Sequence, residues 1–235
     1  MWSLSPAEIE ALRLSVRIAA WSTVVTLPLA VLAAHVLARY RFWGKEILNG
    51  LLHMPLVLPP VVTGYLLLLL LGRRGLVGAW LEETFGLVFA FRWTGAVVAA
   101  AVVAFPLMVR PIRLSLEAVD QRLESAARTL GANRVWTWLT VTLPLSLPGM
   151  VAGAILGFTR SLGEFGATIT FVSNIPGETQ TLSLAVHSAL QVPGGETGAL
   201  RLTLVIVAVT IVALVASEML GRYVARKTRG YTANA

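Results

Sequence analysis

Five stretches of this chain are apolar over about the twenty residues that an α-helix needs to cross a hydrocarbon core. They are Ile18 to Ala38, Ile47 to Leu71, Thr94 to Leu114, Leu145 to Val172 and Leu200 to Leu220. In lipid the backbone must satisfy its own hydrogen bonds, so such runs have to be helices. Charged residues make up 13% of the chain and hydrophobic ones 56%, against about 25% charged in a soluble domain. The expected fold is therefore all-α and integral to a membrane, one domain over residues 1–235 with five spans. A sixth would need Leu81 to Phe91, but LEETFGLVFAF is too short and too acidic to cross alone and is expected at the interface.

Lysine and arginine orient this bundle. Arg39, Arg41 and Lys45 follow the first run, Arg110, Arg113, Arg122, Arg128 and Arg134 lie in the third connection, and Arg222, Arg226, Lys227 and Arg229 are in the tail. All of these would share one side, with Arg13, Arg17, Arg73, Arg74 and Arg92 on the other. The positive-inside rule assigns the first group to the cytoplasm, which puts the N-terminus outside and the C-terminus inside. The first run reads as a retained span, because Glu8 and Glu10 precede it and it runs into Arg39 and Arg41. The basic tail suits anionic membrane lipid, and no basic and aromatic stripe points to nucleic acid.

Between the third and fourth runs lies LESAARTLGANRVWTWLTVTLP, Leu123 to Pro144. Leu116, Val119, Leu123, Ala126, Ala127 and Leu130 recur at helical steps, while Glu117, Gln121, Glu124 and Arg128 gather on another face. The spacing predicts a helix running from Leu116, with Glu124 and Arg128 as an i,i+4 pair. Gly131 is expected as its left-handed C-cap and Asn133 as the cap of a second helix, in which Trp136 and Trp138 sit at the interface before Pro144 re-enters the membrane. Two alanines and a glycine at the centre of such a polar hairpin let it approach a groove on another protein closely. The pattern alone also fits an amphipathic surface hairpin without a partner.

The stretch resembles the EAA loop of the inner-membrane subunits of binding-protein-dependent ABC importers, a loop that here occupies about residues 115–144. Ala126, Ala127, Gly131 and Leu143-Pro144 match its pattern; Ser125 replaces the glutamate of the triplet, and Glu124 stands one residue earlier. Further stretches, HMPLVLPPVVTGYLLL from His53, SLGEFGATITFVSNIPGETQTL from Ser161 and VPGGETGA from Val192, are similar to the molybdate permeases of that group. The resemblance implies a type I ABC importer permease that works as a homodimer in a bacterial or archaeal inner membrane. It implies a cytoplasmic ATPase subunit that binds ATP and Mg, and a periplasmic molybdate-binding protein. Sulfate and tungstate permeases are close relatives within the same resemblance. Residues implied in ATPase coupling are Glu124, Ser125, Ala126, Ala127, Gly131, Leu143 and Pro144. The chain agrees in lacking a G-x-x-x-x-G-K-[ST] phosphate loop, so energy for uphill transport would have to arrive from another polypeptide.

For a translocation path, the polar groups of the fourth run stand out: Arg160, Ser161, Glu164, Thr168 and Thr170. Charges at membrane depth cost about 2.5–3.5 kcal/mol each on insertion scales, so they face protein or water. Arg160 and Glu164, four apart, read either as an internal ion pair or as anion contacts. Gly149, Gly153 and Gly157 form a small-residue face, read either as a dimer seam or as packing within the subunit. Pro59 and Pro60, with Gly64 after them, predict a kinked or interrupted second helix.

The segment Ser173 to Gly198 carries the amphipathic run TLSLAVHSALQ, expected as a short surface or re-entrant helix on the face that would meet the binding protein. His35, His53 and His187 have no ligand spacing, so no metal site is expected. There is no cysteine, no H-E-x-x-H and no aspartate in any span, which argues against an intramembrane enzyme and leaves a non-transporting assembly protein as the rival class.

Overall fold

The structure, a computed structural model, describes residues 4–232. It is built from helices: α1 (Pro6–Arg39), α2 (Lys45–Val57), α3 (Pro60–Leu71), α4 (Leu76–Phe85), α5 (Trp93–Glu117), α6 (Gln121–Thr129), α7 (Arg134–Thr137), α8 (Leu143–Leu162), α9 (Gly166–Val172), α10 (Leu182–Leu190) and α11 (Glu196–Thr232). A π-turn over Trp138–Thr142 joins α7 to α8, so Arg134 to Leu162 is one helical rod.

Among the described residues four helices are long and apolar enough to cross a membrane: Pro6–Arg39, Trp93–Glu117, Arg134–Leu162 and Glu196–Ala216. A fifth exists only if α2 and α3, which meet at 112°, are taken together. The second run is thus interrupted rather than merely kinked, the second of the two forms that its prolines predict. Pro59 and Pro60 bring no N–H, and Leu58 before them is extended, so the helical ladder ends there and restarts at Pro60 in a new direction.

The fourth run also differs from its expected bounds. Its helix starts eleven residues earlier, at Arg134, and stops at Leu162 before Gly163; the remainder forms the separate α9. The first run is extended backwards, because Ser5 and Glu8 close a capping box, with Ser5 Oγ accepting from Glu8 N at 3.3 Å and Glu8 Oε2 from Ser5 N at 2.6 Å, and Pro6 opens the helix. Glu8 also receives Arg201 Nη2 at 2.5 Å, which ties the start of α1 to α11. The stretch expected at the interface, Leu81 to Phe91, contributes the second half of the short α4, which Gly86 closes in the left-handed region at φ 65°.

Helix α5 is the central element. Its alanine-rich side, including Ala96, Ala99, Ala100 and Ala104, is buried against α1 and α9 or α8. Toward its other end Met108, Val109, Ile112 and Leu116 pack with Ala30, Ala34 and Leu37 of α1 and Met150 of α8. Between helices in lipid, close van der Waals fit has to supply the attraction that water supplies elsewhere, so small residues mark the seams.

The glycine face of α8 belongs to this seam. A Cβ on Gly149 would overlap Ser115 and lie 2.7 Å from Pro111 O; one on Gly153 would lie 2.9 Å from Met108 O; one on Gly157 would meet Met108 Sδ at 2.5 Å. Of the two readings of this row, packing within the subunit is the one the geometry takes. Adding one methyl group at Gly149 is expected to destabilise the detergent-purified chain by about 1–3 kcal/mol in thermal unfolding. The same change at Gly198, where a Cβ meets nothing within 4 Å, is expected to be neutral or stabilising by helix propensity. Equal effects at the two positions would contradict the seam.

Candidate functional site

The loop after α5 does not continue the helix from Leu116 as its periodicity predicts. Helix α5 ends at Glu117, and Asp120 starts a new one by accepting Arg122 N at 2.9 Å. Helix α6 closes on Gly131, whose φ of 90° is cheap only for glycine, with Ala132 N donating to Ala127 O at 3.1 Å. Asn133 caps the next turn through Trp136 N at 2.8 Å.

Helix α6 has two opposed faces. Leu123, Ala126 and Leu130 point outward, and Leu130 is 89% exposed. Gln121, Glu124, Ser125 and Arg128 line the inner side, facing α1 and the start of the rod. There Glu124 Oε1 accepts from Arg39 Nη2 at 2.6 Å and from Thr142 Oγ1 at 2.7 Å. The expected Glu124–Arg128 pair is not formed. An exposed i,i+4 pair gains only about 0.3–0.5 kcal/mol, whereas this carboxylate is 14% exposed, meets a guanidinium that is 12% exposed, and takes a second donor. Ser125, at the position of the triplet glutamate, donates only to Gln121 O of its own helix.

The second arm of the loop is not a separate surface helix. It is the first part of the rod from Arg134 to Leu162, and Leu143 and Pro144 lie inside that rod, immediately after the π-turn. Pro144 brings no N–H to the ladder, and a wider turn just before it accommodates that loss. Trp136 is 60% exposed, while Trp138 Nε1 approaches His35 Nδ1 of α1 at 3.3 Å. One carboxylate thus joins the end of α1, the loop helix and the base of the rod.

The polar groups of the fourth run gather at the other break. Arg160 Nη1 lies 2.5 Å from Glu164 Oε2, so the internal ion pair forms, but Glu164 stands in the gap after α8. Its Oε1 accepts Ala167 N at 2.9 Å, serving the start of α9, and its side chain is 2% exposed. Ser161 shares a 3.0 Å hydrogen bond with Ser22 of α1, Thr168 is buried, and Thr170 Oγ1 returns to Gly166 O. This break abuts the α2–α3 corner: a Cβ on Gly166 would lie 2.8 Å from Pro60 Cβ, and one on Gly64 would lie 2.5 Å from Ala167 O. Two interrupted helices therefore meet at one place, where Pro59, Pro60, Gly64, Glu164 and Gly166 come together. Irregular backbone at membrane depth is tolerated where it is buried in protein or lines a water-filled path.

Sequence reasoning missed Arg39, Thr142 and Gly166. Arg39 carried weight only as a topology marker, and no local pattern links it to Glu124, eighty-five residues away. The three histidines are engaged separately, His35 with Trp138, His53 with Asn49 O at 2.8 Å, and His187 with Phe165 and Gln191.

Residues 26–230 match the family of binding-protein-dependent transport system inner membrane components. The molybdenum transport system permease protein ModB of Escherichia coli K12 is 54% identical over 219 residues, 93% of this chain and 96% of the relative. ModB of Haemophilus influenzae is 55% identical over 94% of this chain and 96% of its own length. The sulfate transport system permease protein CysT of Escherichia coli is 41% identical over 68% of this chain and 58% of its own length. Among solved structures, a bacterial ABC transporter that imports alginate matches with a TM-score of 0.69 at 16% identity, covering 96% of this chain and 80% of that one. The inward-facing methionine transporter MetNI matches at 0.65 and 17%, covering 95% and 97%. The fold is that of type I ABC importer permeases.

Removing one partner of the Arg39–Glu124 pair strands a largely buried charge, at a cost of about 3 kcal/mol. Glu124→Ala is therefore expected to raise deuterium exchange across residues 121–130 by about two orders of magnitude, with Ser125→Ala leaving it unchanged. Unaltered exchange in Glu124→Ala would show that the carboxylate anchors nothing.

Proposed function

The chain belongs to the family of binding-protein-dependent transport system inner membrane components, and on that premise we propose that it forms the translocation pore of an ATP-driven molybdate importer. The observation that carries the substrate is the identity of more than half its residues, over nearly its whole length, with ModB permeases. The chain performs no hydrolysis itself. ATP and Mg are bound by a separate cytoplasmic ATPase subunit, and a periplasmic binding protein delivers the anion. Two copies of the chain face each other across the pore in the inner membrane, with the N-terminus outside and the C-terminus in the cytoplasm.

The outward face of α6, Leu123, Ala126 and Leu130 with Ala127 and Gly131 beside it, is the coupling surface on which the ATPase subunit seats. Small side chains there allow close backbone approach, and the apolar ones exclude water. Motion is passed inward through Glu124 to Arg39 and Thr142. Because the rod runs unbroken from Arg134 past Leu143 and Pro144 to Leu162, a tilt at its base is delivered to the break beside Glu164. There Arg160 and Glu164 hold the geometry as an ion pair, and Ser161, Thr168 and Thr170 stand on either side of the gap. Binding-protein engagement outside and nucleotide turnover inside would be linked reciprocally by that displacement.

The test is uptake of labelled molybdate into proteoliposomes that hold the chain and its ATPase subunit, with binding protein outside and ATP inside. Uptake that needs all components and withstands excess sulfate is expected; ATP-dependent sulfate uptake without molybdate uptake would replace the substrate, and no uptake of either anion would overturn the reading. In the same vesicles Ala127→Trp and Gly131→Pro are expected to insert normally while cutting uptake at least tenfold. Full uptake by either variant would remove the coupling role of this face.

A further inference from the structure

Behind α6, on the side away from Leu123, Ala126 and Leu130, lies an open-sided cavity of about 830 Å3 between the end of α1 and the base of the rod. Its lining changes character along α1. Leu27, Pro28, Val31 and Leu32 give way to His35, Arg39 and Tyr40 over about 20 Å of helix. The mouth beside α6 and α7 is completed by Arg128 and Arg134. Among the described residues neither of these arginines forms an ion pair. The buried Arg39 Nε–H likewise has no acceptor. The one carboxylate on the wall, Glu124, already accepts from Arg39 and Thr142.

A cationic mouth at the level of the loop, continued by an apolar trough along a spanning helix, matches a molecule with an anionic head and a hydrocarbon tail. We propose that this cavity holds one anionic phospholipid, its phosphate between Arg128 and Arg134 and an acyl chain along Leu27 to Leu32. Basic pockets between spanning helices on the cytoplasmic side suit such headgroups. The ATPase subunit is not the occupant, because the face of α6 proposed to seat it is the opposite one. The lipid therefore backs the coupling helix on its inner side while the ATPase loads its outer side. Occupancy itself is independent of the transport reading, whereas its effect on coupling rests on it.

The test uses the complex of this chain with its ATPase subunit, purified in dodecyl maltoside with dioleoylphosphatidylglycerol or dioleoylphosphatidylcholine and analysed by native mass spectrometry. Phosphatidylglycerol is expected to be retained at least tenfold over phosphatidylcholine. R128Q/R134Q should abolish that preference, and R110Q/R122Q, which removes the same charge from the same region outside the cavity wall, should preserve it. Val31→Trp, which fills the trough and leaves every charge in place, should also lose the lipid. Equal retention by all variants, or equal loss from both arginine pairs, would overturn the site in favour of no specific binding or of diffuse attraction. Displacement by molybdate, or retention by the chain alone but not by the complex, would overturn the lipid as occupant. A complex that retains the lipid in this pattern yet imports no oxyanion would keep this inference and sink the proposed function.

Discussion

Three glycines on one face of α8 allow it to lie directly on α5, and the remaining geometry follows from that approach. Gly149, Gly153 and Gly157 each leave space that Pro111, Ser115 or Met108 of α5 already occupies. With the rod held against the central helix, α1 packs into the angle between them through Ala30, Ala34 and Leu37. A bilayer offers little hydrophobic drive for this assembly, so shape has to do what water does in a soluble core. The seam also fixes the position of Thr142, and through it the place where the loop helix is anchored.

The loop shows how a short surface helix becomes mechanically part of a membrane bundle. A helix of nine residues is marginal in isolation, and α6 buries no residue of its own. What holds it is the carboxylate of Glu124 between two donors from separate elements, a charge-assisted arrangement shielded from most solvent. A family pattern with glutamate as the first residue of the triplet is altered here to serine. The carboxylate one position earlier turns inward instead, leaving the outward face apolar and small. Movement of α6 cannot then be absorbed by the loop, because its inner side is tied to α1 and its C-terminal side leads into the rod.

Much of this was legible in the sequence, and the failures have physical causes. Apolar length located the spanning helices, Pro59 and Pro60 located the break in the second run, and Gly131 and Asn133 punctuated the loop as expected. Boundaries shifted where a local capping or breaking signal outweighed hydropathy and periodicity: Ser5 and Glu8 lengthened α1, Asp120 split the helix expected from Leu116, and Gly163 cut α9 from the rod. Hydropathy alone could not tell a kinked span from the 112° corner at Pro59 and Pro60, since both satisfy the same composition. Partner choice was the least legible feature. The nearest opposite charge to Glu124 along the helix is Arg128, yet the fold delivers Arg39 at 2.6 Å, and only the packing of α1 on α5 and α8 brings it there.

The central claim is that α6, the end of α1 and the rod move as one body when nucleotide turns over. The chain contains no cysteine, so it can be labelled at chosen pairs without competing thiols of its own before the complex is assembled. Double electron–electron resonance would be read in the complex with its ATPase subunit, with and without trapped ATP, from one label at exposed Arg122 of α6 and one at exposed Val24 of α1, and from Arg122 to its counterpart in the second copy that we propose completes the pore. The account predicts a constant distance within the chain and a changed distance between copies. A distance that changes within the chain while the one between copies stays constant would contradict it.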